Sequence, residues 1–160
     1  MRFRRRREGT TDYRKRLALL KSRQPRAVVR VTNRQVLIQL TRFTKEGDRV
    51  VVAVSSQRLA GLGWKGSGTS IPAPYLVGLL AAREARAAGE AHAVLDIGRG
   101  TPTPGGRVFA VLKGLVDGGM EIPHSDALYP GEERIRGEHI SKAIAKQVET
   151  VSAAIQEAKA

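Results

Sequence analysis

Hydrophobic and polar positions change their spacing several times along the chain, and each change marks an element. Residues 1–11 hold five arginines and one phenylalanine with no period, which predicts an extended arm whose like charges keep it disordered until it meets a partner. Tyr13, Leu17 and Leu20 then recur at i, i+4 and i+7, the spacing of one helix face. They predict a short helix over residues 13–22, capped by Thr11 or Asp12 and closed off by Pro25. That stripe can dock on the body while Arg14, Lys15, Arg16 and Lys21 face outward.

Three β-type runs follow at residues 26–32, 35–43 and 49–56. The connections between them have hairpin lengths, with Asn33 and Gly47 as the expected positive-φ residues. In the first run Val29 and Val31 alternate with Val28, Arg30 and Thr32, so one strand face can be basic and polar. Residues 61–69 form a glycine-rich loop around the single tryptophan, Trp64. Pro72 and Pro74 open a helix that runs to about residue 88, and residues 91–97 read as a buried strand. A second helix, capped by Thr103 and begun by Pro104, carries Val108, Val111, Leu112, Leu115 and Val116 on one stripe and stops at Gly118-Gly119. Residues 121–136 read as an extended loop. A last helix from Gly137 places Ile140, Ile144, Val148, Val151 and Ile155 on one face.

The order β-β-β-α-β-α predicts an α/β fold: a mixed β-sheet covered by helices, with a basic N-terminal extension and a C-terminal helix. Its expected units are a basic arm and short helix (residues 1–24), a globular α/β body (residues 25–136) and the C-terminal helix (residues 137–160). There are no internal repeats.

Charge sharpens this picture. The 160 residues carry 28 Lys and Arg against 15 Asp and Glu, a net charge of +13. Sixteen of those cations stand in residues 1–49 against Glu8, Asp12, Glu46 and Asp48, while residues 50–160 are almost balanced. A basic block of this kind neutralises phosphates and releases condensed counterions, which points to nucleic acid. A membrane-surface patch would need an amphipathic helix with bulky apolar residues, and residues 4–7 have none. No apolar run is long enough to span a bilayer, and no apolar stretch follows the basic N-terminus as a signal peptide requires. The absence of cysteine excludes disulfides, thiolate catalysis and Cys-based zinc sites.

The catalytic alternatives are poorly supplied. His124-Ser125-Asp126 holds the residue types of a hydrolase triad, but a triad is a spatial arrangement that consecutive residues cannot normally make. His92, His124 and His139 lack metal-ligand spacing. The glycine-rich loop lacks the phosphate-loop pattern, because no Lys in it precedes Ser or Thr. The element order is shared with RNase H-like nucleases, yet those need clustered carboxylates for divalent ions. Here the first strand offers Arg30 and no acid, and Asp96 on the fourth strand stands apart from Asp117 and Glu121. No catalytic residue, metal or cofactor is expected.

Six blocks carry a resemblance. They are residues 3–22 (FRRRREGTTDYRKRLALLKS), residues 25–40 (PRAVVRVTNRQVLIQL), Trp64-Lys65-Gly66, residues 96–119 (DIGRGTPTPGGRVFAVLKGLVDGG), residues 122–125 (IPHS) and residues 134–140 (RIRGEHI). In this order the chain resembles the archaeal and eukaryotic branch of the 5S-rRNA-binding large-subunit ribosomal proteins, the universal eighteenth protein of that subunit. The Gly-Ser-Gly loop after Trp64 departs from the family pattern, and the helix beyond Ile140 lies outside the resemblance. The resemblance implies a structural protein of the cytoplasmic ribosome that binds 5S rRNA and helps attach it to large-subunit rRNA in the central protuberance, beside another 5S-binding ribosomal protein. A general nucleic-acid-packaging protein is the alternative.

On this reading the RNA contacts fall in three tiers. Arg2, Arg4, Arg5, Arg6 and Arg7 neutralise phosphates. Tyr13, Arg14, Arg16, Lys21 and Arg23 position the arm, with Tyr13 either stacking on a base or filling the contact between helix and body. Arg26, Arg30, Thr32, Asn33 and Arg34 line the polar face and tip of the first hairpin. Ser55, Ser56, Lys65, Arg99 and Arg107 are further contacts from the loops and helix start near the same sheet edge.

Overall fold

The computed structural model describes residues 4–157; Arg2, assigned above to phosphate, lies outside them. Strands β1 (Arg26–Val31), β2 (Val36–Thr44) and β3 (Gly47–Ser55) form an antiparallel meander, and β4 (Val94–Asp96) adds to β1 in parallel, giving the order β3-β2-β1-β4. The mixed sheet follows from the connections. Hairpins join β1 to β3, whereas a parallel β4 needs a helical crossover, supplied here by α3 (Pro72–Ala87).

Strand alternation sends Ala27, Val29, Val36, Ile38, Leu40, Val52 and Val54 to one face, where they are buried. Helices α3 and α4 (Arg107–Asp117) cover that face. Gly78 and Gly114 let the two helices approach closely: a Cβ on either would lie 2.3 Å from the Val111 carbonyl oxygen or 2.1 Å from that of Tyr75. The C-terminal helix α6 (Lys142–Glu157) packs on α3 through Val148, Val151 and Ile155. Two helical segments precede the sheet, α1 (Arg4–Arg7) and α2 (Tyr13–Lys21), and a short helix α5 (Glu132–Arg136) precedes α6.

Several expectations need correction. The arm is not wholly extended: residues 4–7 make a turn of helix closed by amides of Glu8 and Thr10 on the carbonyls of Arg4 and Arg5. Asp12 caps α2 as expected, accepting from the amides of Arg14 and Lys15, but the Tyr13–Leu17–Leu20 stripe does not dock. Tyr13 is 39% and Leu17 57% exposed, and no residue of α2 is buried. Asn33 has no positive φ, which among the described non-glycine residues belongs to Arg23. The Thr32 hydroxyl holds that turn instead, donating to the Gln35 carbonyl and accepting from the amides of Arg34 and Gln35. Gly47 does adopt a positive φ. The α4 helix starts at Arg107, because Gly105 at φ 69 turns the chain after Pro104. The C-terminal helix starts at Lys142, because Gly137 at φ 78 ends α5. Ile140 is consequently off the apolar stripe and 47% exposed. Part of the glycine-rich loop is a 3-10 helix (Ser56–Leu62), and Trp64 is buried in the core.

Candidate nucleic-acid interface

The sheet face opposite α3 and α4 carries the ionic groups that the β1 pattern implied. Arg26 sits 2% exposed on it. Its Nη1 donates to Asp96 Oδ2 at 2.7 Å and its Nη2 to Asp48 Oδ2. Asp48 in turn accepts from Arg16 Nη2 on α2 through both oxygens at 2.9 Å. Burial pushes the Asp48 carboxyl up, but the hydrogen bonds from Arg26 and Arg16 outweigh it and hold the group below the ordinary carboxylate range. Asp96 also accepts from the Gly98 amide at 2.8 Å and lies 3.5 Å from Arg30 Nη2. Arg30 Nη1 donates to the carbonyls of Val29 and Asp96. The floor of this face is therefore a closed network in which the carboxylates are spent on guanidinium groups.

The arm and α2 lie across that floor, leaving a cleft of about 650 Å³ between helix and sheet. Arg5, Lys15, Arg16, Arg30 and Arg99 line it together with Asp12, Asp48 and Asp96. The cap bond from Lys15 is the largest influence lowering the Asp12 carboxyl. At the far wall Gly9 packs against the Arg99 guanidinium, where a Cβ would lie 2.7 Å from Nη1. The hairpin tip forms a second group. Gly68 of the glycine-rich loop passes so close to it that a Cβ there would lie 3.6 Å from the Arg34 carbonyl oxygen, which brings the loop carrying Lys65 beside Asn33 and Arg34. The Lys65 amide donates to Gln147 on α6, so that loop is fixed from both sides.

The residues singled out from the sequence thus separate by role. Arg4, Arg5, Arg6 and Arg7 are exposed on α1. Arg14, Lys21, Arg23, Asn33, Arg34, Lys65, Arg99 and Arg107 are also exposed, although Arg107 does not line the cleft. Arg16 is half-buried and pairs with Asp48. Arg26 is a scaffold group with no surface to offer RNA, because a strand residue opposite the core face can still be roofed by another element. Ser56 is likewise 4% exposed, its hydroxyl accepting from the Val36 amide. Ser55 is half-buried at the end of β3. The Thr32 hydroxyl is committed to its turn. Tyr13 is 39% exposed and joins neither hydrophobic core cluster, so it is not part of the body's packing.

Lys15, named above only as an outward-facing cation, and Lys45 and Arg49, not assigned to RNA from the sequence, also belong with the interface. Among the described residues they, Arg6, Arg7, Arg14, Lys21, Arg23 and Arg34 make no side-chain hydrogen bond or ion pair within the chain. By contrast Arg42 grips Glu90 with two nitrogens and Arg58 grips Glu84. Sequence alone could have drawn attention to Lys45, in the two-residue turn between β2 and β3, and to Arg49, which follows Asp48 on β3.

The chemistry available here is neutralisation and docking. His124 lies 3.4 Å from Asp126, but its Nδ1 contacts the Ile122 carbonyl and Ser125 joins no shared hydrogen bond with them. No group of three or more His, Asp or Glu residues among the described ones is arranged to hold a metal ion. No helix among them is long and apolar enough to cross a membrane.

Known proteins give the same direction. A family model described as ribosomal large subunit proteins 60S L5 and 50S L18 matches residues 1–92 and 85–125. The chain is 54% identical over 141 residues to large ribosomal subunit protein uL18 of Korarchaeum cryptofilum, covering 88% of this chain and 72% of that one. It is 50% identical over 160 residues to uL18 of Methanoregula boonei, covering 96% and 92%. With uL18 of Methanoculleus marisnigri it shares 52% identity over 140 residues, covering 88% and 80%.

Proposed function

This chain belongs to the family of ribosomal large subunit proteins 60S L5 and 50S L18, and from that premise we propose that it binds 5S rRNA and helps attach it to large-subunit rRNA in the central protuberance. As a member it is a structural constituent of the large subunit. The neighbours in this reading are 5S rRNA, large-subunit rRNA and a second 5S-binding ribosomal protein.

The observation that carries the proposal is the unpaired basic surface of residues 4–49. Nine cations there are left without a side-chain partner, whereas the carboxylates of the sheet floor are already occupied. Unpaired cations gain most from phosphate, since nothing in the chain must be displaced. Arg34 and Asn33 on a hairpin tip and Arg99 at the cleft wall hold fixed positions, as shape-dependent recognition of folded RNA requires. The arm attracts and the body discriminates.

Capture of bound RNA from a lysate, followed by sequencing and an integrity check, tests this. Enrichment of intact 5S rRNA supports it. Indifferent capture of RNAs would favour a general packaging protein, and divalent-dependent cleavage would favour a nuclease.

A further inference from the structure

The cleft between α2 and the sheet, about 650 Å³, falls within the range of about 300–1,000 Å³ spanned by sites for small organic groups. Its lining is of three kinds. Val28 pairs with Gln39 across β1 and β2, and Thr41 with Val50 across β2 and β3, so Gln39 and Val50 are diagonal neighbours on the sheet wall. Leu19 adds apolar surface from α2. The Gln39 side chain is half-buried in that wall and makes no hydrogen bond within the chain, which leaves an amide donor and acceptor side by side. Lys15 and Arg99 complete the lining as exposed cations without an ion pair. Arg16, Arg26 and Arg30, by contrast, are engaged by Asp48 and Asp96.

The occupant must meet all three kinds of surface. A phosphate alone would satisfy the cations and leave Val28, Val50, Leu19 and the Gln39 amide without a partner. A base inside a stem has its faces stacked and its pairing edge in use, so it cannot enter a slot between a helix and a sheet. An unpaired nucleotide that is splayed out brings an apolar face, an edge of hydrogen-bonding groups and a phosphate. A carboxamide can hold such an edge with two bonds. We propose that the cleft receives one extruded nucleotide of the RNA, its base against Val28, Val50 and Leu19 with an edge on the Gln39 carboxamide, and its phosphate toward Lys15 and Arg99. This rests on the RNA-binding reading above and adds which part of the RNA is held and by which side chains.

The test uses the full chain with adenosine and uridine 5′-monophosphates, inorganic phosphate, 5S rRNA and a blunt RNA duplex. The NMR signals of the Gln39 side-chain amide should move with at least one nucleotide and stay in place with inorganic phosphate at equal ionic strength. Gln39→Ala removes the edge contact, and Val50→Trp fills the slot. Each should weaken 5S rRNA by about tenfold, the scale of one lost base contact. Duplex affinity should stay within about twofold, and the salt dependence should not change, because no phosphate contact is lost. The Gln39 side chain has no partner to lose and Val50 is 45% exposed, so both variants should fold, and an unchanged melting curve checks this. Wild-type affinity of both variants for 5S rRNA, or an amide signal that neither nucleotide moves, would overturn the proposal. An equal response to inorganic phosphate would overturn it too and leave a plain anion site. If the chain shows no preference for 5S rRNA but a nucleotide moves the Gln39 signal and Val50→Trp abolishes that response, the identity of the RNA is wrong and the nucleotide site stands.

Discussion

Arg26 and Asp96 stand 70 positions apart and meet at 2.7 Å across the parallel junction of β1 and β4, both less than a tenth exposed. Asp48 closes the other side of the guanidinium. The pair ties the strand that arrives last to the centre of the sheet, and through Asp48 and Arg16 it also fixes where α2 lies. The sheet floor and the position of the basic helix are thus set by one buried cation.

Removing that cation should damage the fold before it touches RNA. Arg26→Ala removes the buried partner of Asp96 and one of the two guanidinium partners of Asp48, and losing one partner of a buried pair costs about 3–5 kcal/mol. Denaturant unfolding should show that loss. Arg34→Ala, by contrast, should leave stability within about 0.5 kcal/mol and lower RNA affinity. Equal stability of both variants would mean that Arg26 is not a scaffold residue.

Deleting residues 1–11 should leave the body folded, since residues 4–8 are exposed and contribute nothing to the core. The melting transition should remain cooperative and nearly unshifted. Affinity for RNA should fall by orders of magnitude. In the full chain, replacement of about six to eight counterions predicts a slope of log K against log salt near −4 to −7, and the truncated chain should give a shallower one. A wild-type slope shallower than about −2 would contradict a phosphate-dominated interface.

Acid should loosen α2. The folded Asp48 and Asp12 carboxyls lie below their ordinary value of 3.8, so the unfolded chain binds protons first as the pH drops. Their contribution is complete above that value and is lost as the pH falls below it through the lower folded values. Unfolding free energy measured across this window should decline with pH. Asp48→Asn should flatten part of the decline, and an unaltered profile would remove Asp48 as a contributor.

Gly78→Ala and Gly114→Ala should each destabilise by about 1–3 kcal/mol or more, because the new methyl groups meet backbone carbonyls that cannot swing aside. Both sites are far from the cleft, so the residual folded fraction should bind RNA with wild-type affinity. Chemical denaturation and binding on the same samples separate the two effects.

By itself the sequence determined the element order, the buried faces of the strands, the capped start of α2 and the confinement of positive charge to the first third. Periodicity and capping are local, and local spacing records them. Net charge is additive and survives folding unchanged. Tertiary structure alone decided which cations remain available. Alternation placed Arg26 and Arg30 opposite the core, but only the arrival of Asp96 from the far side of a helical crossover and of Asp48 from the next hairpin made Arg26 a buried tie. The same holds for Tyr13 and Leu17, whose spacing fits a docked stripe: α2 is anchored through Arg16 to Asp48, and that rotation leaves both residues exposed. A side chain's spacing fixes which face it shares, while the elements that later cover that face determine whether it becomes core, scaffold or binding surface.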